Sequence, residues 1–550
     1  MRQKDTLRWL WRVTGRKKGY ILALTLLQGV SGVIGVIYAL LFRAIVDSAV
    51  GKDADTFREN VLLAIGLVVV SLAVSALIRW LNELAKSDLE NTYKRRLLDN
   101  ILIKDYASVS STHTAEWLNR LTNDTTVVAN GMVEILPGLV GMFVRLISAL
   151  VMIIYLDPWF AYVFIPGGIA MVGLTYAFRG VLKRLHKSIQ ESDGDLRIFL
   201  QERISNLMVI KAFSAEEHVS EGAQKAMLQH KTARLRRNRF SNVANIGFGA
   251  AMQGMYLIGV IYCAHGIMEG TISYGTLTAV MELIGQIQGP FANISGYLPR
   301  FYAMTASAER LMEAEDYQDE GWTADREAIR DYYEHAFHAL GLRNASFAYA
   351  SASDDTVPVI LENLTLEIRK GETIAFCGHS GCGKSTVLKL LMCMYPLDAG
   401  QRYIDERELT SYFRRLFAYV PQGNALMNGT IKDIVAFAEE ADDARLKRAL
   451  TLACANDFVE DIDEELGERG SGLSEGQMQR LAIARALYAD APILLLDEST
   501  SALDEETEQR LLENLRSMTD KTVIIVTHRK AALSICDRVL EFTETGVTEQ

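Results

Sequence analysis

The chain has 550 residues, 49% of them hydrophobic, and its 57 basic and 68 acidic residues give a net charge of −11. This length accommodates two or more domains with full-sized cores, and the acidic balance argues against a nucleic-acid partner, which would require a basic face. The apolar residues are concentrated in long runs in the N-terminal half, whereas the C-terminal third has the composition of a soluble α/β domain.

Six segments are long and apolar enough to cross a bilayer, which takes about 20 apolar residues. The first has the basic flank of a signal peptide, but no small-residue cleavage site follows it, so we predict that it is retained. The six segments lie near 20–46, 61–80, 131–156, 159–178, 245–268 and 274–300.

Lysine and arginine residues set the orientation of these segments. Residues 1–18 carry seven basic residues, residues 81–130 six and residues 179–243 thirteen, whereas the alternate connections carry at most two. The positive-inside rule therefore places both termini and the two long loops in the cytoplasm.

The long loops and the stretch after the last segment divide the chain into parts. Both loops are polar but keep a helical period, so we predict that they extend the membrane helices into the cytoplasm. Residues 316–336 are acidic and poor in apolar residues, which predicts a linker. The predicted domains are therefore a transmembrane domain over 1–315 and a nucleotide-binding domain over 337–550.

Two ionisable residues lie inside the membrane segments, Arg145 in the third and Glu282 in the sixth. Such side chains are costly at membrane depth and usually face the interior of the helix bundle. We predict that they meet, or that they line one polar substrate cavity with Gln253, Gln286 and Gln288. An ion pair that only fixes helix packing is an equally weighted alternative.

The stretch "GETIAFCGHSGCGKSTVLKLL" reads as a strand, a glycine-rich loop and a helix, and it matches the P-loop pattern. In such a loop the backbone N–H groups surround phosphates, Lys384 reaches the β- and γ-phosphates, and the Ser385 hydroxyl holds Mg²⁺. The loop residues predicted to bind nucleotide are Gly378, His379, Ser380, Gly381, Cys382, Gly383, Lys384, Ser385 and Thr386.

A second motif, "PILLLDEST", reads as a buried strand that ends in two carboxylates. Asp497 is placed to support Mg²⁺ through water, and Glu498 is placed to polarise the attacking water. An acidic helix cap after a core strand is the alternative, but it is a poor explanation beside a P-loop.

The six cysteines have no regular spacing. Four of them, Cys377, Cys382, Cys393 and Cys454, fall in or near the C-terminal domain. This usage predicts reduced thiols in a cytosolic domain rather than a disulfide framework.

Seven motifs in order along the chain resemble those of a half-transporter of the ATP-binding cassette (ABC) superfamily with the exporter fold. Besides the P-loop and "ILLLDE", Tyr349 matches the aromatic residue that stacks on adenine, and Gln422 in "AYVPQ" matches the glutamine that senses Mg²⁺. "LSEGQ" matches the signature, "SALD" the D-loop, and His528 in "IVTH" the switch histidine. Glu475 departs from the commonest signature, which has glycine there, and a polar loop at 350–359 follows Tyr349.

The resemblance implies a fold and an assembly. The fold is a six-helix transmembrane domain with long cytoplasmic helical extensions, followed by an α/β P-loop nucleotide-binding domain. Two such domains pack head to tail, so that the signature of one chain faces the γ-phosphate on the P-loop of the other. The residues that complete the partner's site are then Ser474, Gly476, Gln477 and Asp504.

The resemblance also assigns roles within the site. Glu498 is the catalytic base and His528 holds the γ-phosphate and the water in line, while Ser385, Gln422 and Asp497 serve Mg²⁺. Coupling helices between the domains fit "ASVSSTHTAEWLNRL" in the first long loop and "IKAFSAEEHVSEG" in the second, with ordinary exposed helix turns as the alternative.

The function implied is an ATPase that drives transport across a membrane, with ATP and Mg²⁺ as cofactors. The favoured hypothesis is a multidrug-type exporter or flippase that transports an amphipathic small molecule, lipid or peptide. An importer on the same fold, as in siderophore systems, and an ATP-gated sensor or channel are the alternatives. Intact Glu498 and His528 favour turnover over gating.

The assembly and location follow from the same features. A homodimer is favoured over a heterodimer because every hydrolysis motif is present. Six segments without an added bundle predict a multi-pass protein of a prokaryotic inner (plasma) membrane, in contact with lipids, with its nucleotide-binding domain in the cytoplasm.

Overall fold

The computed structural model describes residues 3–349, 359–423, 426–437, 439–467, 470, 472–543 and 546–549. These residues form two compact units. The first comprises Met1–Leu97 and Asn119–Met312, and the second comprises Leu98–Leu118 and Glu313–Gln550.

Long helices dominate the chain up to residue 316. A short 3₁₀ turn, Gly15–Lys17, joins the first two helices, and a π-helical turn, Arg120–Asp124, joins the fifth and sixth. In chain order the helices are α1 (Gln3–Thr14), α2 (Lys18–Val50), α3 (Ala54–Ile103), α4 (Tyr106–Ser110), α5 (Thr114–Asn119), α6 (Thr125–Leu156), α7 (Phe160–Ser205), α8 (Leu207–Ala212), α9 (Glu216–Met268) and α10 (Tyr274–Asp316).

Each predicted membrane segment lies within one long helix, namely α2, α3, α6, α7, α9 or α10. Among the described residues, four helical stretches are long and apolar enough to cross a membrane by length and composition. They are Lys4–Val50, Ala54–Ile103, Thr114–Leu156 and Glu216–Met268. The other two predicted segments lie in α7, whose apolar part is the shorter stretch Phe160–Ala170, and in α10.

Several helices continue well beyond their predicted membrane segments. Helix α3 has 50 residues and α9 has 53, which at about 1.5 Å per residue makes each roughly 75–80 Å long. A bilayer core takes only about 30 Å of that length. The polar loop sequences with a helical period are therefore continuous extensions of these helices.

Helices α2 and α6 approach each other closely at glycines. A Cβ added at Gly141 would lie 2.8 Å from the Gln28 Cβ, and one added at Gly32 would lie 3.1 Å from the Arg145 backbone N. In a membrane the hydrophobic effect does not drive helices together, so association depends on close van der Waals packing. Small residues such as glycine allow this close approach. A buried apolar cluster that includes Ile153, Phe160 and Leu283 joins α6, α7 and α10.

The second unit is built on sheets. One sheet has four strands in the order β2-β1-β4-β5, one has six in the order β12-β11-β3-β10-β9-β6, and β7 pairs with β8. The strands are β1 (Ala339–Phe347), β2 (Leu361–Arg369), β3 (Thr373–Gly378), β4 (Ala399–Ile404), β5 (Arg407–Glu408), β6 (Phe417–Val420), β7 (Gly429–Thr430), β8 (Glu465–Leu466), β9 (Ile493–Asp497), β10 (Thr522–Val526), β11 (Arg538–Thr543) and β12 (Gly546–Glu549).

The six-stranded sheet brings the site motifs to one edge. Strands β6, β9, β10, β3 and β11 run parallel, and only β12 is antiparallel. Residues of β9 and β10 are all buried, as expected for apolar runs in a covered parallel sheet. Because the carboxyl ends of parallel strands meet, the loops after β3, β6, β9 and β10 lie together, where open α/β sheets bind ligands.

Helices pack around these sheets in the second unit. They are α11 (Arg326–His335), α12 (Lys384–Leu391), α13 (Ile431–Ala436), α14 (Asp443–Leu452), α15 (Glu475–Ala489), α16 (Glu505–Arg516) and α17 (Lys530–Leu533).

Part of the predicted linker 316–336 is the helix α11, which packs into the core of the second unit. Ile329 and Tyr333 are 1% and 4% exposed, and the Tyr333 ring stacks on Phe337 at 5.1 Å. The sequence predicted a linker because the apolar content of this stretch is low. Only one face of the helix is apolar, with Ile329 and Tyr333 at the i, i+4 spacing.

Residues 98–118, predicted to belong to the transmembrane domain, pack with the second unit. The Asp105 N–H donates to the Gln318 carbonyl at 3.0 Å, and Lys104 Nζ lies 2.8 Å from Asp319 Oδ1. The Tyr106 ring meets Tyr395 edge-on at 5.5 Å. Most of the first predicted coupling segment is therefore bound to the C-terminal part of the chain.

Candidate nucleotide-binding site

The P-loop between β3 and α12 needs its glycines. Gly378, Gly381 and Gly383 have φ of 130°, 88° and 95°, which side chains rarely adopt. A Cβ at Gly378 would lie 2.3 Å from the Phe542 carbonyl oxygen, and one at Gly383 would lie 2.6 Å from Leu361 Cδ2. The loop therefore curves tightly into the first turn of α12, which leaves its backbone N–H groups available to an anion.

Lys384 lies inside this curve. Its side chain is almost fully buried, and Nζ donates to the carbonyls of Gly378 at 2.7 Å and His379 at 2.8 Å. The Cys382 Sγ lies 3.5 Å from the same Nζ. All six cysteines are free, as the sequence predicts. The ammonium is thus held inside the curve of the loop by backbone carbonyl oxygens.

Asp497 is held from two sides at the end of β9. Ser385 Oγ donates to its Oδ1 at 2.8 Å, and the Tyr419 hydroxyl donates to its Oδ2 at 3.0 Å. Asp497 is only 1% exposed, and this burial raises the pKa of its carboxyl while the two hydrogen bonds oppose the rise. Sequence reasoning missed Tyr419, a half-buried residue that lies between the buried Ala418 and Val420 on the neighbouring strand β6.

Glu498, Gln422 and His528 meet although they follow three different strands. Gln422 Nε2 donates to Glu498 Oε2 at 2.7 Å, and His528 Nε2 lies 3.9 Å from Glu498 Oε1. Glu498 has φ of 49°, a left-handed conformation that costs a non-glycine residue about 1–3 kcal/mol and is found mostly at functional sites. The strained turn directs its carboxylate away from the β9 strand and toward the other two side chains.

Tyr349, the predicted adenine-stacking residue, lies in an aromatic cluster beside the P-loop. Its ring meets those of Phe347 at 4.9 Å and Tyr395 at 5.2 Å, and its hydroxyl lies 3.2 Å from Thr386 Oγ1. Most of the loop that follows Tyr349, residues 350–358, lies outside the described residues. Tyr395 was not singled out in the sequence.

The signature residues begin helix α15 and face solvent. Ser474 is the N-cap, and its side chain and that of Gln477 form a capping box, with Ser474 N–H donating to Gln477 Oε1 at 2.8 Å. Ser474 and Glu475 are exposed. Within the described part of the chain, no hydrogen bond or ion pair joins the signature to the P-loop of the same chain.

A buried glutamine that sequence reasoning missed ties the signature helix to the D-loop. Gln479 Nε2 donates to Ser501 Oγ at 3.0 Å, and its Oε1 accepts from the Ala502 N–H at 3.1 Å. Asp504 caps α16 by accepting from the Thr507 N–H at 2.9 Å. No sequence signal distinguished Gln479 from the other polar residues at the start of α15, Gln477 and Arg480.

Arg529, next to His528, also holds the D-loop. Its Nη2 donates to the Ser501 carbonyl at 2.7 Å, and its Nη1 donates to the Leu503 carbonyl at 3.0 Å and to Glu508 Oε2 at 2.7 Å. Hydrogen bonds therefore link the D-loop both to the signature helix, through Gln479, and to Arg529, the residue that follows His528.

The five residues predicted to share a substrate cavity lie in separate places. Arg145 lines a cavity of about 400 Å³. Glu282 instead lies beside Gln286, whose Nε2 donates to the Gly35 carbonyl at 2.7 Å. Gln288 donates to the Met252 carbonyl at 3.1 Å, and Gln253 is exposed.

The expected pairing of Arg145 with Glu282 is absent among the described residues. That pairing was predicted from the depth of each residue below the outer end of its own helix. The packing of α6 on α10 instead places Arg145 opposite the 289–300 stretch of α10, several turns from Glu282.

Comparison with known families identifies both parts of the chain. Residues 21–291 match the family model described as the ABC transporter transmembrane region, and residues 361–501 match the model described as ABC transporter.

Relatives whose names describe export or translocation match over between about half and nine tenths of their own length. The chain is 28% identical to the ATP-dependent lipid A-core flippase of Haemophilus influenzae, over 94% of this chain and 88% of the relative. It is 28% identical to a putative multidrug export ATP-binding/permease protein of Staphylococcus aureus, over 94% and 91%. It is 31% identical to a leukotoxin translocation ATP-binding protein of a Pasteurella haemolytica-like species over 65% of this chain, and the match spans about half (51%) of that relative.

The fold has a solved counterpart. A bacterial Atm1-family ABC exporter with ATP bound superimposes with a TM-score of 0.79 at 22% identity, covering 98% of this chain and 95% of that one. The predicted fold class, a helical transmembrane domain followed by an α/β nucleotide-binding domain, is confirmed.

Proposed function

Because the chain belongs to the ABC transporter family, we propose that it is an ATP-driven exporter or flippase of an amphipathic molecule. It works by alternating access as a homodimer with two composite ATP sites. The observation that carries the proposal is the meeting of Gln422, Glu498 and His528 beside a P-loop.

The residues at the sheet edge fit ATP and Mg²⁺. The glycine-shaped P-loop and Lys384 would hold the phosphates, and Ser385, Asp497 and Gln422 would serve the metal. The described residues contain no group of three or more His, Cys, Asp or Glu side chains that could hold a metal. This suits Mg²⁺, which takes one or two protein carboxylates together with phosphate oxygens. When bound, Mg²⁺ neutralises charge on the phosphates.

Glu498 is the general base of the proposed hydrolysis. Its half-buried carboxylate accepts the proton of the attacking water, and Gln422 orients that carboxylate through its amide. His528 lies on the other carboxylate oxygen, where it holds the γ-phosphate and the water in line. A base of this kind contributes roughly 10²–10⁴-fold to a rate.

The signature supports a site shared between two chains. Its Ser474 and the N-terminus of α15 are exposed, and a helix N-terminus with a serine cap is a ready anion site. A second copy of the chain, packed head to tail, supplies the γ-phosphate that these groups bind. The hydrogen bonds from Gln479 and Arg529 to the D-loop then connect the partner's nucleotide with His528 of this chain.

The names of the relatives support outward transport. They are a flippase of lipid A-core, a putative multidrug exporter and a leukotoxin translocation protein. The charge distribution of the loops and these bacterial relatives support a prokaryotic inner membrane as the location, with the nucleotide-binding domain in the cytoplasm.

Transport into inside-out vesicles tests this function. Purified protein is reconstituted, and uptake of a panel of amphipathic lipids, drugs and peptides is measured with and without ATP. We expect uptake of at least one compound with ATP, and none for a Glu498→Gln variant. ATP-driven movement in the opposite direction, or no ATP-dependent movement of any compound, would contradict the proposal.

A further inference from the structure

A polar cavity opens among helices α2, α6 and α10 of the first unit. Its volume is about 400 Å³, within the range of small-molecule sites. Polar side chains on its walls are Gln28 from α2, Arg145 from α6, and Tyr297 and Arg300 from α10.

Glycines make the space. Gly138 and Gly141 of α6 line the cavity opposite Tyr297 and Gln28, and Gly289 and Gly296 of α10 complete that wall. A Cβ at Gly138 would lie 2.3 Å from the Tyr297 hydroxyl. The hydroxyl is thus held against α6, at the edge of the cavity.

Positive charge dominates the cavity. None of the described residues that line it is acidic, and residues 291–295, "FANIS", carry no charge. The Arg145 side chain is exposed and lies at the centre of a predicted membrane segment. Among the described residues, no carboxylate pairs with it. Such an arginine is costly unless it faces water or an anion.

The second arginine, Arg300, shares a carboxylate with a lysine. Arg300 Nη1 lies 3.0 Å from Glu134 Oε2, while Lys86 Nζ lies 2.6 Å from Glu134 Oε1. One carboxylate therefore serves Arg300 and Lys86, and none serves Arg145. Among the described residues, Arg145 of α6, Arg300 of α10 and Lys86 of α3 are three cations that together have one carboxylate partner, Glu134.

The charges lie at two depths. Glu134, which holds Arg300, precedes Arg145 by about three turns, or roughly 16 Å along α6. In the predicted orientation, Glu134 and Arg300 lie toward the cytoplasmic end of their segments and Arg145 near the middle of the membrane. An anionic group entering from the cytoplasmic side meets Arg300 first and Arg145 deeper in the membrane.

We propose that this cavity selects amphipathic substrates that carry a phosphate or carboxylate, with Arg145 as the deep anion contact and Arg300 as the shallow one. A guanidinium binds either anion through two parallel hydrogen bonds. A neutral or cationic amphiphile leaves Arg145 without a counterion. The inference rests on the proposed transport function and names the substrate class for it.

The test compares head groups on one alkyl chain. Octyl phosphate, octanoate, octyltrimethylammonium and octyl glucoside are titrated as monomers onto the full-length protein in neutral-lipid nanodiscs, and equilibrium binding is measured. We expect the two anions to bind at least tenfold more tightly than the cation and the neutral compound. Equal affinity for all four would overturn the proposal.

Variants locate the effect at the arginines. Arg145→Gln should weaken anion binding about 10–100-fold, as expected for losing hydrogen bonds to a charged group, and Arg145→Lys should retain most of it. The matched control is Arg43→Gln, since Arg43 lies in another membrane helix and pairs with Asp47 at 3.5 Å. Wild-type anion affinity in Arg145→Gln, or an equal loss in Arg43→Gln, would overturn the assignment. If Arg145→Gln does not fold, Arg300→Gln, expected to weaken anion binding several-fold, decides in its place.

A further arm separates the source of the anion from the function itself. Fluorescent phosphatidic acid placed in the vesicle membrane and octyl phosphate added from water both test the anion site, and the one that is transported identifies a lipid or a soluble substrate. Anion binding without transport of any compound leaves the cavity assignment standing and contradicts the transport function. Transport of neutral or cationic compounds without anion preference supports the transport function and contradicts the cavity assignment.

Discussion

Glu498 shows how a single backbone conformation shapes the site. Its φ of 49° follows directly on the straight strand β9, and its N–H donates to the Val526 carbonyl at 3.1 Å. This contact ties the turn to strand β10, which leads to His528. The backbone of this turn thereby places the Glu498 carboxylate beside both Gln422 and His528.

At this residue scale, Glu498→Gln should nearly abolish ATP hydrolysis while ATP still binds. The amide fills the same space but cannot accept a proton, so we expect turnover to fall by roughly 10²–10⁴-fold and a closed, ATP-loaded dimer to accumulate. Steady-state ATPase assays and nucleotide retention measure the two effects. Hydrolysis within a few-fold of wild type would show that another group is the base.

Cys382 makes the P-loop sensitive to thiol reagents. Its Sγ lies 3.5 Å from Lys384 Nζ, so an alkyl group there enters the phosphate-binding loop. We expect alkylation to block ATPase activity, and ATP to protect against it. Cys382→Ser should make the enzyme resistant to the reagent, whereas Cys536→Ser, at a distant cysteine, should leave it sensitive. Sensitivity that persists in Cys382→Ser would assign the effect elsewhere.

At the scale of elements, α15 and the D-loop form one unit through Gln479. Its amide satisfies both Ser501 Oγ and the Ala502 N–H, while a Cβ at Gly476 would lie 2.9 Å from the Ala502 carbonyl oxygen. The helix and the loop thus fit closely, and a displacement of one must move the other.

Gln479→Ala should test this connection. It leaves the Ala502 N–H without its partner, a loss worth about 1–3 kcal/mol, and it releases the D-loop. We expect a lower thermal midpoint and a reduced kcat, with ATP affinity within a few-fold of wild type because Gln479 does not touch the P-loop. Gln479→Glu keeps the oxygen that accepts from the Ala502 N–H. Its thermal midpoint and kcat should therefore lie between those of wild type and Gln479→Ala. An unchanged kcat with a lower midpoint would make Gln479 purely structural.

The segment 98–118 is the second element with a testable role. Tyr106 meets Tyr395 edge-on, and Tyr395 in turn meets Tyr349 at 5.2 Å beside the P-loop. A chain of aromatic contacts therefore runs from the connection between α3 and α6 to the nucleotide site.

Tyr106→Ala should weaken this relay. Aromatic pairs of this geometry contribute about 0.5–1.5 kcal/mol beyond their buried area, so the variant should fold. We expect a basal ATPase rate near that of wild type and a smaller stimulation by transported substrate. Tyr106→Phe, which keeps the ring, is the control. Equal stimulation in Tyr106→Ala and wild type would exclude the relay.

At the scale of the whole molecule, mixed dimers distinguish a composite site from a self-contained one. One chain carries Lys384→Ala and the other Ser474→Arg, with different affinity tags for purification. In a composite arrangement both defects fall in the same site, so about half of the wild-type ATPase activity remains. A chain with both changes, paired with a wild-type chain, should be inactive because each site then has one defect.

Self-contained sites give the opposite pattern, with activity only in the second pairing. Retained activity there and none in the first would contradict the head-to-tail dimer. Copurification of a different transporter half with the untagged natural protein would count against the homodimer.

The nucleotide-binding motifs could be recognised from the sequence alone. The glycines, Lys384 and Ser385 are contiguous, and "LLLDE" places Asp497 and Glu498 at the end of a buried strand, so local spacing was sufficient to predict their roles. The predicted membrane segments fall in long helices, and four of the described helical stretches are long and apolar enough to cross a membrane, because an apolar run of that length satisfies its backbone hydrogen bonds as a helix. The fold class followed from the order of these motifs.

The neighbours across the chain were decided by the tertiary structure alone. Arg145 lines one cavity with Arg300 and Tyr297 rather than with Glu282, because α10 side chains such as Tyr297 pack against glycines of α6 such as Gly138. Gln479, Tyr419 and Tyr395 gained their partners in the same way, through elements far away in sequence. Local spacing fixes backbone conformation within a motif, whereas contacts between helices and strands depend on rotation and crossing, which only the packed chain determines.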